Sequence, residues 1–243
     1  MAQPSKIEWT EITWNPVTGC TKTSAGCQNC YAERMAKRLQ GMKKPKYSKG
    51  FQVTIHPEIL DEPRHWRKPR LVFVVSMGDL FHKKVPLSFV RKVFAVMNEC
   101  PQHTFQLLTK RPHIAAECAG QLRWTDNIWI GATVEDRKSL SRIAHVRKIP
   151  AAVRFLSLEP LIERLPRLPL SKIDWVIVGG ESGPGSRPME KDWVRNIRDR
   201  CVEKGVPFFF KQWGGVNKKK TGRELDGRIW DEMPISFHGA EEE

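Results

Sequence analysis

The chain has 243 residues, enough for one large domain or two small ones with a sizeable core. Lys and Arg number 41 against 27 Asp and Glu, a formal charge of +14, which points to a polyanionic partner, nucleic acid ahead of a membrane surface. No apolar run approaches the ~20 residues that span a bilayer, and Met1 to Trp9 lacks the apolar stretch of a signal peptide, so a reducing cytoplasm is expected. In that compartment clustered cysteines serve as metal ligands rather than disulfides.

Short apolar, β-branched runs alternate with amphipathic stretches along the chain. The first run, Ile12–Trp14, leads into a loop that carries Cys20, Cys27 and Cys30 within eleven residues. Leu71–Val75 follows and ends in Ser76-Met77-Gly78-Asp79. Ser88 is the expected N-cap of a helix to Glu99, with Phe89, Val90, Val93, Phe94 and Met97 on one face. Thr104–Leu108 ends in Thr109-Lys110-Arg111, and a helix is expected after Pro112. Ile128–Val134 ends in Glu135, with a helix from about Asp136 to Lys148 that stops before Pro150. Val153–Leu158 ends in Glu159-Pro160, and Asp174–Val178 in Gly179-Gly180-Glu181-Ser182-Gly183. A helix from Lys191 to Lys204 buries Val194, Ile197 and Cys201, with Gly205 as its stop. The last run, Pro207–Phe210, precedes Lys211-Gln212-Trp213, and Asp226-Gly227 marks a β-hairpin within Gly222–Trp230.

The runs are too continuously apolar for half-exposed antiparallel strands and read as parallel strands buried on both faces. Repeated β–α units give either a barrel or a doubly wound sheet. Six or seven strands favour a partial or full (β/α) barrel in one domain over residues 1–235, hairpin included, with a frayed acidic tail at 236–243. In either architecture the functional face lies at the C-terminal ends of the strands.

Three thiolates on one loop with no fourth cysteine close by suggest a metal centre one ligand short, and an open coordination position is what permits chemistry on a bound molecule. An iron–sulfur cluster is the leading reading. Structural zinc on a non-catalytic nucleic-acid-binding protein is the alternative and needs a fourth ligand, for which His56, His82 and Cys100 are available, none at a finger-like spacing. Cys100, Cys118 and Cys201 read as small buried hydrophobes. The segment Gly179 to Gly185 does not fit the dinucleotide pattern; its glycines let backbone approach a ligand. Asp79, Glu135, Glu159 and Glu181 each follow a strand, with Lys110, Arg111 and Lys211 in equivalent places: pocket lining or salt bridges around a rim. Arg64, Trp66, Arg67, Lys68 and Arg70 interleave an aromatic ring with cations, as surfaces that stack bases and neutralise phosphates do. Lys43–Lys46 and Lys218–Lys220 are further basic runs, and Trp213 a further contact candidate.

The cysteine loop, Ser-Met-Gly-Asp-Leu-Phe-His (76–82), Leu-Leu-Thr-Lys-Arg-Pro (107–112), Leu-Ser-Leu-Glu-Pro-Leu (156–161), Val-Gly-Gly-Glu-Ser-Gly-Pro (178–184) and Phe-Phe-Lys-Gln-Trp-Gly (209–214) together resemble a phage-associated, three-cysteine, radical-S-adenosylmethionine-like family of unsettled function. Its wider superfamily includes spore photoproduct lyase, which repairs DNA. The resemblance runs from about Trp14 to Pro234. It implies a partial (β/α) barrel of the radical SAM type. Cys20, Cys27 and Cys30 would hold a [4Fe-4S] cluster, and S-adenosylmethionine would bind the fourth iron. An external electron donor would reduce the cluster, and a 5′-deoxyadenosyl radical would take hydrogen from a nucleic-acid or nucleotide substrate. By position, Gly78 and Asp79 are the candidates for the methionine amino group and Lys110 for its carboxylate. Ser157, Glu159, Gly180 and Glu181 are assigned to ribose or adenine. Two features depart from the superfamily pattern. Six residues separate the first two cysteines, more than is usual, and Asn29 stands where an aromatic normally precedes the third cysteine, with Tyr31 after it.

Overall fold

The protein is described by a computed structural model covering Ser5 and residues 7–234. The expected tail at 236–243 lies outside the described residues. Seven parallel strands form one sheet: β1 (Ile12–Trp14), β2 (Leu71–Val74), β3 (Thr104–Thr109), β4 (Ile128–Thr133), β5 (Arg154–Leu158), β6 (Trp175–Gly179) and β7 (Phe208–Gln212). Their order in space is their order in the chain, with β1 and β7 at the two edges. The sheet curls into a half-barrel, the expected partial (β/α) barrel with the larger of the two strand counts.

Each crossover returns the chain to the same end of the sheet, so every loop after a strand reaches the same rim. The helices are α1 (Tyr31–Gly41), α2 (Leu87–Glu99), α3 (Pro112–Cys118), α4 (Ser141–Val146), α5 (Lys191–Lys204) and the single turn α6 (Lys218–Thr221). Helix α1 was not among the sequence expectations, although Ala32, Met35, Ala36 and Leu39 carry the helical spacing. Its other positions are polar, and Ala36 is its one fully buried residue.

Two boundaries differ from expectation for physical reasons. Helix α2 starts at Leu87 with Pro86 at its N-cap, ahead of Ser88, because proline's fixed φ already suits a helix entry. The stretch from Asp136 to Lys148 yields a 3-10 turn at Lys138–Leu140 and only then α4. Ser139 is the cause: its Oγ accepts from the Glu135 and Asp136 amides at 3.0 Å each, and the Asp136 carboxylate accepts from the Ser139 amide at 2.8 Å. Those side-chain bonds compete with helical ones and delay the helix.

Alternation sorts the strand residues onto two faces. Val72, Val74, Phe105, Leu107, Ile128, Ile130, Leu156 and Val176 pack outward with the helices in the larger core. The concave face begins with an aromatic floor of Trp9, Phe73, Trp129, Phe155, Trp175 and Phe209. Trp9 and Phe73 lie 4.7 Å apart by ring centroid, and Phe155 and Trp175 5.6 Å, pairs worth about 0.5–1.5 kcal/mol each beyond the area they bury. Gly131 sits in register with Phe155, and the ring of Phe155 occupies the space a side chain at 131 would need. Ser157 and Gly179, two and four residues beyond Phe155 and Trp175, continue the same concave faces above that floor. The half-barrel is therefore an aromatic base below small and polar positions near the rim.

Candidate functional site

The cysteine loop leaves β1 at the rim and is fastened to the end of β2. The side-chain oxygen of Asn15 accepts from the Met77 amide at 3.0 Å, and the Gly19 amide donates to Met77 O at 2.8 Å. Gly19 and Gly78 form a parallel bridge, and a Cβ at Gly78 would lie 2.9 Å from the Gly19 carbonyl oxygen. Glycine is needed there so that the two backbones can touch.

Each cysteine then meets a different positive influence. Arg111 Nη1 donates to Cys20 Sγ at 3.3 Å. Cys27 closes the 3-10 turn Ala25–Cys27. Burial alone would push its thiol up, but backbone hydrogen bonds at Thr23 and Ser24 and the Lys110 charge outweigh burial and hold it below the usual thiol range. Cys20 is shifted the other way, chiefly by burial and then by Asp79, against the pull of Arg111. Cys30 is the N-cap of α1, where the free amides and the helix dipole favour negative charge.

Around the rim, each buried carboxylate is matched by a cation. Asp79 accepts from Arg111 Nη1 at 2.9 Å, Thr109 Oγ1 at 2.8 Å, and the Phe81 and Lys110 amides at 3.1 and 3.2 Å. Glu135, fully buried, takes Lys110 Nζ at 3.3 Å and Arg142 Nη1 at 2.6 Å, and Ser24 of the cysteine loop hydrogen-bonds to it. Glu159 is paired with Lys211 at 2.7 Å. Glu181 accepts from Asn29 Nδ2 at 3.0 Å and from Arg187 Nε at 2.8 Å. Burial works against ionisation of Glu181, but the Arg187 and Asn29 hydrogen bonds win, and its carboxyl is held below the usual range. Asn29 also donates to Gly185 O at 2.8 Å, and Arg34 of α1 to Ser182 O at 2.6 Å. The cysteine loop and α1 thus reach across the mouth from β1 to the loop after β6.

The sequence-expected residues separate into three groups on this geometry. Glu159 and Glu181 follow the ends of β5 and β6 at the rim, with Ser157 near the end of β5; Lys110 stands between Glu135 and the cysteine loop. Gly78, Asp79 and Gly180 are committed to the frame: Asp79 is saturated by its four donors, and a side chain at Gly180 would run into the Trp213 carbonyl. Arg64, Trp66, Arg67, Lys68 and Arg70 precede β2 and lie at the opposite end of the barrel. Arg64 is paired with Glu99 at 2.8 Å, and Trp66 packs against His103 at 5.5 Å in the core, while Arg67 and Lys68 are exposed. Sequence reasoning passed over Arg34, Arg142 and Arg187 and noted Asn29 only as a departure from a pattern; all four serve as partners rather than ends of strands.

Of the three candidates for a fourth zinc ligand, two have both ring nitrogens in hydrogen bonds and the third lies away from the rim. His82 Nδ1 accepts the Lys84 amide at 3.1 Å, so Nε2 bears the proton and donates to Thr21 Oγ1 at 2.9 Å; burial pushes this histidine down and keeps it neutral. His56 has both nitrogens bonded, to Thr18 at 2.8 Å and Glu58 at 3.1 Å. Cys100 follows the C-terminal end of α2, away from the rim. Among the described residues, no three His, Cys, Asp or Glu side chains are gathered for a single metal ion. Three thiols from one loop, faced by Arg111, Lys110 and a helix N-terminus, are a donor set of the kind that would hold an anionic iron–sulfur cluster.

The architecture defines an α/β half-barrel whose strand ends carry a three-cysteine loop. The chain belongs to the family described as "Protein of unknown function (DUF5131)", whose model matches residues 4–234. No curated protein matches it. Its fold is similar to that of spore photoproduct lyase complexed with dinucleoside spore photoproduct, at a TM-score of 0.53 and 14% identity over 84% of this chain and 64% of that one. A doubly substituted mutant of the lyase with bound AdoMet and dinucleoside spore photoproduct matches with a TM-score of 0.50 and 12% identity over the same shares of the two chains. The chain thus spans 64%, less than two-thirds, of the length of the lyases it matches.

Proposed function

We propose that this chain is a radical S-adenosylmethionine enzyme of the cytoplasm acting on a nucleic-acid or nucleotide substrate. The observation that carries the reading is the thiol trio Cys20, Cys27 and Cys30 on one cation-faced loop at the rim of a half-barrel, with both ring nitrogens of His56 and His82 hydrogen-bonded and Cys100 away from the rim. Similarity of fold to a lyase whose structures hold AdoMet and a dinucleoside lesion supports it, as does the charge of +14.

In this reading the three cysteines hold a [4Fe-4S] cluster, and Lys110, Ser157, Glu159 and Glu181 border S-adenosylmethionine. When bound, the pair supplies a carbon-centred radical that takes hydrogen from the substrate, on receipt of an electron from an external donor. The chain's own groups do the remaining work. Arg111 donates to a cluster ligand and offsets its negative charge. Lys110 meets the carboxylate of the methionine moiety while Glu135 orients it. Glu159 and Lys211 hold each other at the concave rim, so the wall facing the ligand is polar yet nearly neutral. The aromatic floor excludes water from below.

The test is an electron paramagnetic resonance spectrum of anaerobically reconstituted, reduced protein with and without S-adenosylmethionine. A four-iron signal that changes on addition is the expected result. A silent sample holding stoichiometric zinc would overturn the reading.

A further inference from the structure

Behind the cysteine loop, on the helix side of the rim, lies an open cleft of about 780 Å³. Thr21, Thr23, Ser24 and Ala25 of the cysteine loop form one side of it, and Ser24 hydrogen-bonds to the buried Glu135. Five Lys and Arg side chains line it against two carboxylates, Asp136 and Glu163. Both acids are already used: Asp136 accepts from the Ser139 amide at 2.8 Å, and Glu163 is paired with Arg137 at 3.1 Å. Among the cations, Arg111, Lys110 and Arg142 are held by Asp79 and Glu135 beneath the surface. Lys83 and Lys138 are exposed and, among the described residues, have no ion-pair partner. His113 and His145 stand edge-to-face at 6.0 Å in the same wall, and among the described residues neither ring has a hydrogen-bond partner.

We propose that this cleft binds a single-stranded nucleic-acid segment flanking the reacting nucleotide, with phosphates at Lys83 and Lys138 and a base stacked on His113. The proposal rests on the nucleic-acid reading above and gives it a surface. Unpaired cations beside an aromatic face are what a single strand requires, phosphates for the charges and a base for the ring. The volume exceeds what one phosphate fills and suits a nucleotide-sized ligand. The location matters as much as the charge. The Arg64–Arg70 segment is at the far end of the barrel, whereas this cleft shares a wall with the loop of Cys27.

The experiment is fluorescence anisotropy of labelled single-stranded DNA and RNA oligonucleotides with the full chain, titrated at several salt concentrations. K83E/K138E is expected to weaken binding at least tenfold at low salt and to flatten the salt slope by about one unit or more, since each lost phosphate contact removes roughly 0.7. H113A is expected to weaken it about tenfold, as loss of one stacked base does. R67E/K68E, at the opposite end, should change affinity less than about twofold. Equal affinity in wild type and K83E/K138E, or a loss confined to R67E/K68E, overturns the proposal, as does failure of the wild type to bind either probe. Binding is read on protein whose iron content is measured separately. Wild-type binding that survives in K83E/K138E would therefore count against this cleft alone, a wild type with a normal cluster that binds neither probe would count against the nucleic-acid reading as well, and an absent cluster with intact binding would count against the cofactor reading alone.

Discussion

Arg111 holds its guanidinium between Asp79 and Cys20, 2.9 Å from the carboxylate and 3.3 Å from the sulfur. Both side chains of the ion pair are more than nine-tenths buried. The acid therefore fixes the arginine, and the arginine presents a hydrogen bond to a cysteine on a different loop. Asp79 belongs to the frame of the site rather than to its ligand surface.

Replacing Arg111 by methionine should have two separable effects. The stranded Asp79 carboxylate should cost about 3–5 kcal/mol of stability, read by urea denaturation of cluster-free protein. In reconstituted protein the midpoint potential should fall by some tens of millivolts, because a hydrogen bond to a cluster sulfur favours the more negative, reduced state. Asp79→Asn, which keeps the arginine but loosens it, should give a smaller shift in the same direction.

Alanine at Cys20, Cys27 or Cys30 should abolish cluster iron in anaerobic reconstitution, measured by iron and sulfide content. Alanine at Cys100 or Cys201 should leave it intact. Burial pushes Cys201 up to about 12, so its thiol should resist iodoacetamide at about pH 8 until denaturant opens the core. Alkylation of Cys201 in the folded protein would contradict its place between α5 and the sheet.

Acid should weaken the fold in two stages. Burial is the leading cause that lowers His56, His82 and His103 from 6.5, so each unfolded ring takes up a proton first. Stability from these groups is complete above about pH 6.5 and falls as the pH drops through that value. Glu181 is also depressed, from 4.5, so its contribution is complete above that value and is lost as the pH falls through its lower folded value. In urea melts across the two windows, His82→Gln should flatten the first slope and Glu181→Gln the second. Unchanged slopes in both variants would show that neither group is linked to folding.

Two glycines give opposite expectations. Gly131→Ala should destabilise by about 1–3 kcal/mol, since its Cβ meets the ring of Phe155 across the sheet. Gly120→Ala has nothing within 4 Å of the new methyl group and should be neutral or stabilising by about 0.4–1 kcal/mol. Thermal melts of the two variants distinguish them directly.

The barrel was legible in the sequence because strands buried on both faces leave continuous apolar runs, and every run proposed corresponds to one of β1–β7 within two residues at either end. Helix α1 was harder, because its apolar stripe is short, with Ala36 its one buried residue, and Arg34 ties it to the loop after β6. The cysteine loop was legible because three thiols in eleven residues is a local pattern. The pairings at the rim were not. Nothing adjacent to Glu181 in sequence announces Asn29, 152 residues earlier, and nothing in Arg64–Arg70 reveals that Trp66 turns inward onto His103. Charge runs read alike from sequence at either end of a barrel; only the fold says which end holds the cysteines.

The reach of Asn29 and Arg34 to Glu181 and Ser182 also orders events during synthesis. These contacts join segments 148 to 152 residues apart, so at about 5–20 residues per second the ribosome needs roughly 7–30 seconds to supply the second half of each. In that interval the thiol trio has neither Asn29 bonded to Glu181 nor, at first, Arg111 beside Cys20. A part of the protein that is translated early is among the last to be completed.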